Sequence, residues 1–192
     1  TCPNRDGTLS SSGCIFCSEK GAGELIKFSK LHISEQVNNF LNSYRGMRAN
    51  KFIVYFQNFT NTYDSLENLK EKYDAALVSD KIVGISIATR PDCITEDIAK
   101  LIASYADKYD VSVELGLQTS NDNIGRIINR YYTTTQFTTA VNILRKYNIE
   151  IITHMMIGLP KESFVDIKDT VKFINNHDIQ GLKIHSTYIV KN

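Results

Sequence analysis

Five short runs rich in β-branched residues recur along this 192-residue chain, and a helical pattern follows each of the first four. The runs are KFIVYF from Lys51, IVGISIA from Ile82, VSVELGL from Val111, IEIITHMMI from Ile149 and LKIHSTYIV from Leu182. They are apolar at nearly every position or alternate only weakly, as parallel strands covered on both faces do. Between them lie apolar stripes at helical spacing. Val37, Phe40, Leu41 and Tyr44 follow Ser34 as an N-cap; Ile98, Leu101, Ile102 and Tyr105 follow Thr95. Phe137, Ala140, Val141 and Leu144 follow Thr135; Phe164, Ile167, Val171 and Ile174 follow Ser163. Leu66, Leu69 and Tyr73 make a similar stripe, and residues 121–129 a shorter helix weakened by Gly125. These stripes read as core.

Strand starts recur at intervals of about 30 residues, the length of a βα unit. The expected class is therefore α/β, either a barrel or an open doubly wound sheet. No glycine-rich dinucleotide fingerprint follows any strand, and there is no P-loop. In both architectures chemistry gathers in the loops after the C-terminal ends of the strands. The polar stretches QNFTNTYD, TRPD, QTSND and GLPKES stand in those places.

The length suits one domain with a sizeable core. The formal net charge of +1 gives no electrostatic footprint for nucleic acid or an anionic membrane. No apolar run approaches the ~20 residues of a membrane span, and no signal peptide is visible. Four cysteines, three of them clustered, do not make a secreted disulfide framework, so a reducing compartment, the cytosol, is expected. Both ends read as cut: the chain starts at Thr1 rather than Met and stops just after a strand-like run.

Cys2, Cys14 and Cys17 crowd into a polar, Gly/Ser-rich stretch that reads as a loop. The Cys14–Cys17 pair has C-x-x-C spacing, which fits zinc, a redox disulfide or an iron–sulfur cluster. Structural zinc takes four ligands, and neither Cys93 nor His32 supplies a convincing fourth. Three thiolates suit a four-iron cluster that keeps one iron open, and an open coordination position is where a ligand is activated. A cluster and zinc both remain candidates on residues alone.

The segments CPNRDGTLSSSGCIFC, FQNFTNTYD, TRPDCI, VELGLQTSND, INRYYT and HMMIGLPKES, taken in order, resemble radical S-adenosylmethionine (SAM) enzymes. The resemblance spans nearly the whole chain. It is strongest to a bacterial group of uncharacterised Fe–S oxidoreductases related to the radical SAM domain of the Elongator catalytic subunit. The usual superfamily spacing is C-x3-C-x2-C; the eleven residues between Cys2 and Cys14 match the wide-spaced Elongator-like branch.

The resemblance implies a partial (βα)6 TIM-like barrel over residues 1–192, a single core domain whose first strand precedes Thr1. It implies a [4Fe-4S] cluster on Cys2, Cys14 and Cys17, with SAM chelating the open iron. SAM cleavage to a 5′-deoxyadenosyl radical and hydrogen abstraction from an unknown substrate would follow. An external electron donor of flavodoxin or ferredoxin type would supply the electron. Phe16 would pack near the cluster and the adenine. Gln57, Asn58 and Thr60 replace the G-G-E motif of many relatives, so amide and hydroxyl oxygens would take the methionyl amino group. Ser86, Thr89 and Arg90 would reach the ribose or the carboxylate, Arg90 with an ion-pair role as its alternative. Glu114 and Gln118 share a strand face; a buried carboxylate needs a partner, so Glu114 would bind Arg, Lys or SAM, and Gln118 would contact SAM. Arg130 would neutralise the methionine carboxylate, and Gly158 with Pro160 would shape a turn beside the adenine. His154 reads as a hydrogen-bonded interior residue and His185 as one that faces substrate. The alternatives are a zinc-stabilised, non-catalytic binding domain and an RNA-modifying radical SAM enzyme.

Overall fold

The computed structural model describes residues 1–18, 21 and 31–187. Its sheet has five strands: β1 (Phe52–Phe56), β2 (Ile82–Thr89), β3 (Asp110–Gln118), β4 (Glu150–Ile157) and β5 (Gly181–Ser186). Each pairs in parallel with the next, in the order β1-β2-β3-β4-β5. The sheet curls into a half-barrel, as expected for a partial TIM-like fold. The expected continuation of the last strand through Ile189 and Val190 lies outside the described residues.

Among the described residues six α-helices accompany the strands: α1 (Ile33–Leu41), α2 (Leu66–Asp74), α3 (Glu96–Ala103), α4 (Asp122–Ile127), α5 (Thr134–Lys146) and α6 (Phe164–Asn175). Thr95 and Ser163 cap α3 and α6 as expected, each hydroxyl accepting an amide hydrogen bond from the first turn. Two caps fall elsewhere. Thr133, not Thr135, caps α5, because Gln136 at the third helical position bonds back to the Thr133 amide in a capping box. His32, not Ser34, precedes α1, with Glu35 reaching back to the His32 amide.

The outer face of the sheet is the core. Ile85, Ile87, Val113, Leu115, Leu117 and Ile151 are fully buried against Leu69, Ile102, Phe137 and Leu144 from the helices. Each such side chain contributes about 1.5–3 kcal/mol on leaving water. The stripes are core only in part: Phe40, Tyr44, Leu66, Phe164 and Val171 are exposed. Helix α1 buries no residue, and its Phe40 meets the edge strand through an edge-on contact with Phe52.

Strand parity sends the alternate residues inward. Tyr55 stands beside Ser86, and Ser86 beside Ser112. Gly116 stands beside His154, and His154 beside Lys183. These define the concave wall of the half-barrel.

Candidate active site

The thiol loop is shaped by two residues between its cysteines. Asn4, fully buried, donates from Nδ2 to the Asn129 carbonyl at 2.7 Å and lies 3.3 Å from Cys14 Sγ. Its own carbonyl accepts the Gly13 amide at 2.8 Å. Arg5 donates to the Cys17 and Ser18 carbonyls, both at 2.6 Å. The Cys17 amide bonds the Cys14 carbonyl at 3.0 Å, closing the C-x-x-C turn. Phe16, inside that turn, packs on Ile124, Ile128, Met156 and Leu159, which ties the thiols to α4 and the exit of β4. Neither Asn4 nor Arg5 stood out in the sequence; their place between two cysteines was the available signal.

Burial pushes the Cys14 thiol up to about 11; Arg90 and the Asn4 hydrogen bond oppose the rise, and Cys17 and Cys2 add to it. Burial also raises Cys17, against the pull of Arg5. Cys14 and Cys17 thus hold their protons without a metal; loading one would release them. Among the described residues, no group of three or more His, Cys, Asp or Glu could hold a single metal ion. A cube of irons spreads its thiolates over separate corners, a looser demand than a shell around one ion.

The loop after β1 lies against the thiol loop. The Thr60 amide donates to the Thr1 carbonyl at 3.2 Å. Thr60 Oγ1 and Asn58 Oδ1 are buried with no hydrogen-bond partner among the described residues, as is Asn4 Oδ1. Gln57 is half-buried in the same loop. Buried oxygens without donors are uncommon and mark a place where a donor is missing. An ammonium group fits that need, so these residues suit the methionyl end of SAM.

The other rim residues divide into two groups. Thr89 Oγ1 lies 2.6 Å from Thr62 Oγ1 at the exit of β2. Arg90 is buried and forks onto Asp92 at 3.0 and 2.8 Å, the ion-pair alternative, while its charge still reaches Cys14. Gln118 sits in a bulge, where two residues of β3 pass one of β4, with φ of 62°. Bulges re-aim side chains beside functional sites. Here the Gln118 amide folds over Gly116, where any Cβ would stand 2.7 Å from Nε2, and its Oε1 meets the Tyr132 hydroxyl at 2.6 Å. Gly158, with φ of 88°, turns the chain at the end of β4 and donates its amide to Glu162.

Three expected contacts lie away from the rim. Arg130 is wholly buried and braces the β3–α4 corner, donating to the carbonyls of Tyr132, Leu117 and Thr119 and to Asp122. A Cβ on residue 125 would stand 2.8 Å from this guanidinium, which is why a helix tolerates Gly125. The guanidinium carbons of Arg90 and Arg130 both approach the Tyr132 ring, at 4.9 and 4.8 Å from its centre. Ser86 and Glu114 belong to the concave wall: Ser86 Oγ donates to Glu114 Oε1 at 3.0 Å. Glu114 finds its expected basic partner in Lys183, at 2.6 and 2.5 Å. His154 is the hydrogen-bonded interior residue expected, with Nε2 2.6 Å from Glu114 Oε2.

A half-barrel of parallel strands with three thiols on the loop entering it defines an α/β protein with a cysteine-rich rim. The pattern of the Radical SAM superfamily matches residues 6–174, and the chain belongs to that superfamily. It is 39% identical over 191 residues to the uncharacterized protein YtqA of Bacillus subtilis, covering 99% of this chain and 59% of the relative. It is 32% identical over 192 residues to protein YhcC of Escherichia coli, covering 100% and 61%. The chain thus spans about three fifths of the length of these relatives. The solved structure of Elp3 from the archaeon Methanocaldococcus infernus superposes with a TM-score of 0.70 at 19% identity, over 85% of this chain and 43% of that one.

Proposed function

We propose that this chain is the core of a radical SAM enzyme in which Cys2, Cys14 and Cys17 hold a [4Fe-4S] cluster and SAM binds beside it across the rim. The observation that carries the reading is the thiol loop itself: three cysteines anchored at the mouth of the half-barrel, next to buried oxygens that lack donors among the described residues. When bound, the cluster and SAM supply reductive cleavage to methionine and a 5′-deoxyadenosyl radical, which takes hydrogen from the substrate.

The chain's own residues bind and orient. Asn58 Oδ1 and Thr60 Oγ1 accept from the methionyl ammonium. Phe16 holds the C-x-x-C turn against α4 and borders the adenine. Gln57, Thr89, Gln118 and Gly158, all at strand exits, bound the rest of the cofactor. Arg90 keeps a fixed positive charge near Cys14. Ser86 and Glu114 form the wall beneath, and Arg130 acts through Tyr132 and the bulge rather than by contact. The electron comes from an external donor of flavodoxin or ferredoxin type, and the thiols require a reducing compartment such as the cytoplasm. Fold and cofactor do not name the substrate.

The test is anaerobic reconstitution with iron and sulfide, reduction with dithionite, and detection of 5′-deoxyadenosine from SAM. The wild type is expected to form it and Cys14→Ala to form none. Output that survives the substitution contradicts the proposal.

A further inference from the structure

Glu114 is met by one side chain from each of the other four strands. Tyr55 of β1 and Ser86 of β2 bond to it, as do His154 of β4 and Lys183 of β5. Burial alone would raise this carboxyl. The hydrogen bonds from His154, Lys183 and Tyr55 outweigh it and hold the group at about 2. The carboxylate is therefore ionised, and its oxygens are fully engaged.

The basic groups around it are not. The Lys183 side chain is 40% exposed, with its ammonium 4.3 Å from the centre of the Tyr55 ring. His154 uses Nε2 on Glu114, and its Nδ1 makes no hydrogen bond among the described residues. His185, two residues along β5 from Lys183 and so on the same face, is exposed and has no hydrogen bond among them. Its ring lies 4.9 Å from that of His154. Burial, His154 and Lys183 all depress the His185 pKa, and the opposing pull of Glu114 is the weakest influence.

A purely structural clasp that keeps the sheet curved needs Glu114, His154 and Lys183. It has no use for a His154 Nδ1 without a partner among the described residues, or for a second imidazole tilted against it. We propose that the concave wall between β4 and β5 is an oxyanion site, in which Lys183, His185 and His154 receive a carboxylate or phosphate group of the substrate. The identification of this group as the substrate's rests on the enzymatic reading above, in which the concavity faces the reacting molecule. The ligand's negative charge is met by the ammonium and by the exposed His185 imidazole, which takes up a proton as it binds.

The test is histidine titration by imidazole 1H–15N NMR on the protein as purified, before and after cluster reconstitution. Inorganic phosphate, acetate and chloride are compared at constant ionic strength. The chain has four histidines, His32, His154, His177 and His185, so the two outside the site are internal controls. Phosphate or acetate is expected to raise the His185 midpoint by about half a unit or more relative to chloride. His154 should move with it, and His32 and His177 should not. Whichever anion acts identifies the group recognised. Lys183→Met should abolish the response and Lys183→Arg should retain it. Should Lys183→Met fail to fold, His185→Asn, which leaves the Glu114 bonds intact, should remove the anion response of His154. Equal behaviour in all three anions, or equal movement of all four histidines, overturns the site. The cluster-free arm gives this answer whether or not SAM is cleaved.

Discussion

The two faces of the sheet are built from alternate residues of the same strands, yet their chemistry is opposite. On β3, Val113, Leu115 and Leu117 turn outward into the helices and are fully buried, while Ser112, Glu114 and Gly116 turn inward. The outer face gains its energy from apolar area, which tolerates no ligand and needs none. The inner face sets a carboxylate, two imidazoles and an ammonium around a concavity, an arrangement costly unless each charge has a partner. Stability and chemistry are thus separated by strand parity within the same segments.

Substitutions on the two faces should therefore behave differently. Phe137→Ala, at a fully buried position behind the sheet, should cost about 3–5 kcal/mol, read as a lower urea midpoint. Iron incorporation by the molecules that remain folded should be unchanged. Glu114→Gln on the inner wall should cost less, about 1–3 kcal/mol, since it keeps shape and loses charged bonds. It should also alter the acid response. The folded-state pKa lies below the ordinary 4.5, so the stabilising contribution is present above that value and is lost as pH falls from about 4.5 through about 2. The variant's stability should be flatter over that window in acid titrations followed by circular dichroism.

At the rim the expected changes are smaller and of another kind. Thr60→Val removes a buried hydroxyl that has no partner among the described residues, so stability should be unchanged or slightly higher. SAM binding, measured by equilibrium dialysis, should weaken by about three- to tenfold, the worth of one hydrogen bond. Equal SAM affinity in wild type and variant would remove Thr60 from the cofactor site. Smallest of all, Phe164→Ala should change stability by no more than about 0.5 kcal/mol, because that ring is 68% exposed.

The outer face was legible in the sequence and the inner one only in pieces. Runs such as IVGISIA announce a strand because both of its sides are covered, and Thr95 and Ser163 mark helix starts by local chemistry. Stripe members such as Phe40, Leu66 and Phe164 satisfy the periodicity without being buried, since helical spacing fixes a face but not what packs against it. Lys183 and Tyr55 passed unnoticed because a lysine or tyrosine in a strand ordinarily points to solvent. Parity was the available clue: Lys183 shares its face with His185 and pairs in register with His154. Arg130 was expected at the methionine carboxylate, and its bracing role was hidden because most of its acceptors are backbone carbonyls, of Leu117, Thr119 and Tyr132, which no side-chain pattern reveals. The bulge at Gln118 was equally hidden, since pairing register is a property of two strands.

If the proposed function holds, the rim thiols present an iron with one open position to SAM. Electron paramagnetic resonance of the reconstituted, dithionite-reduced protein, recorded with and without SAM, decides this. A reduced-cluster signal that changes on adding SAM and is absent from Cys14→Ala is the predicted result. A signal indifferent to SAM, or a protein that carries one zinc per chain and takes up no iron, would contradict it.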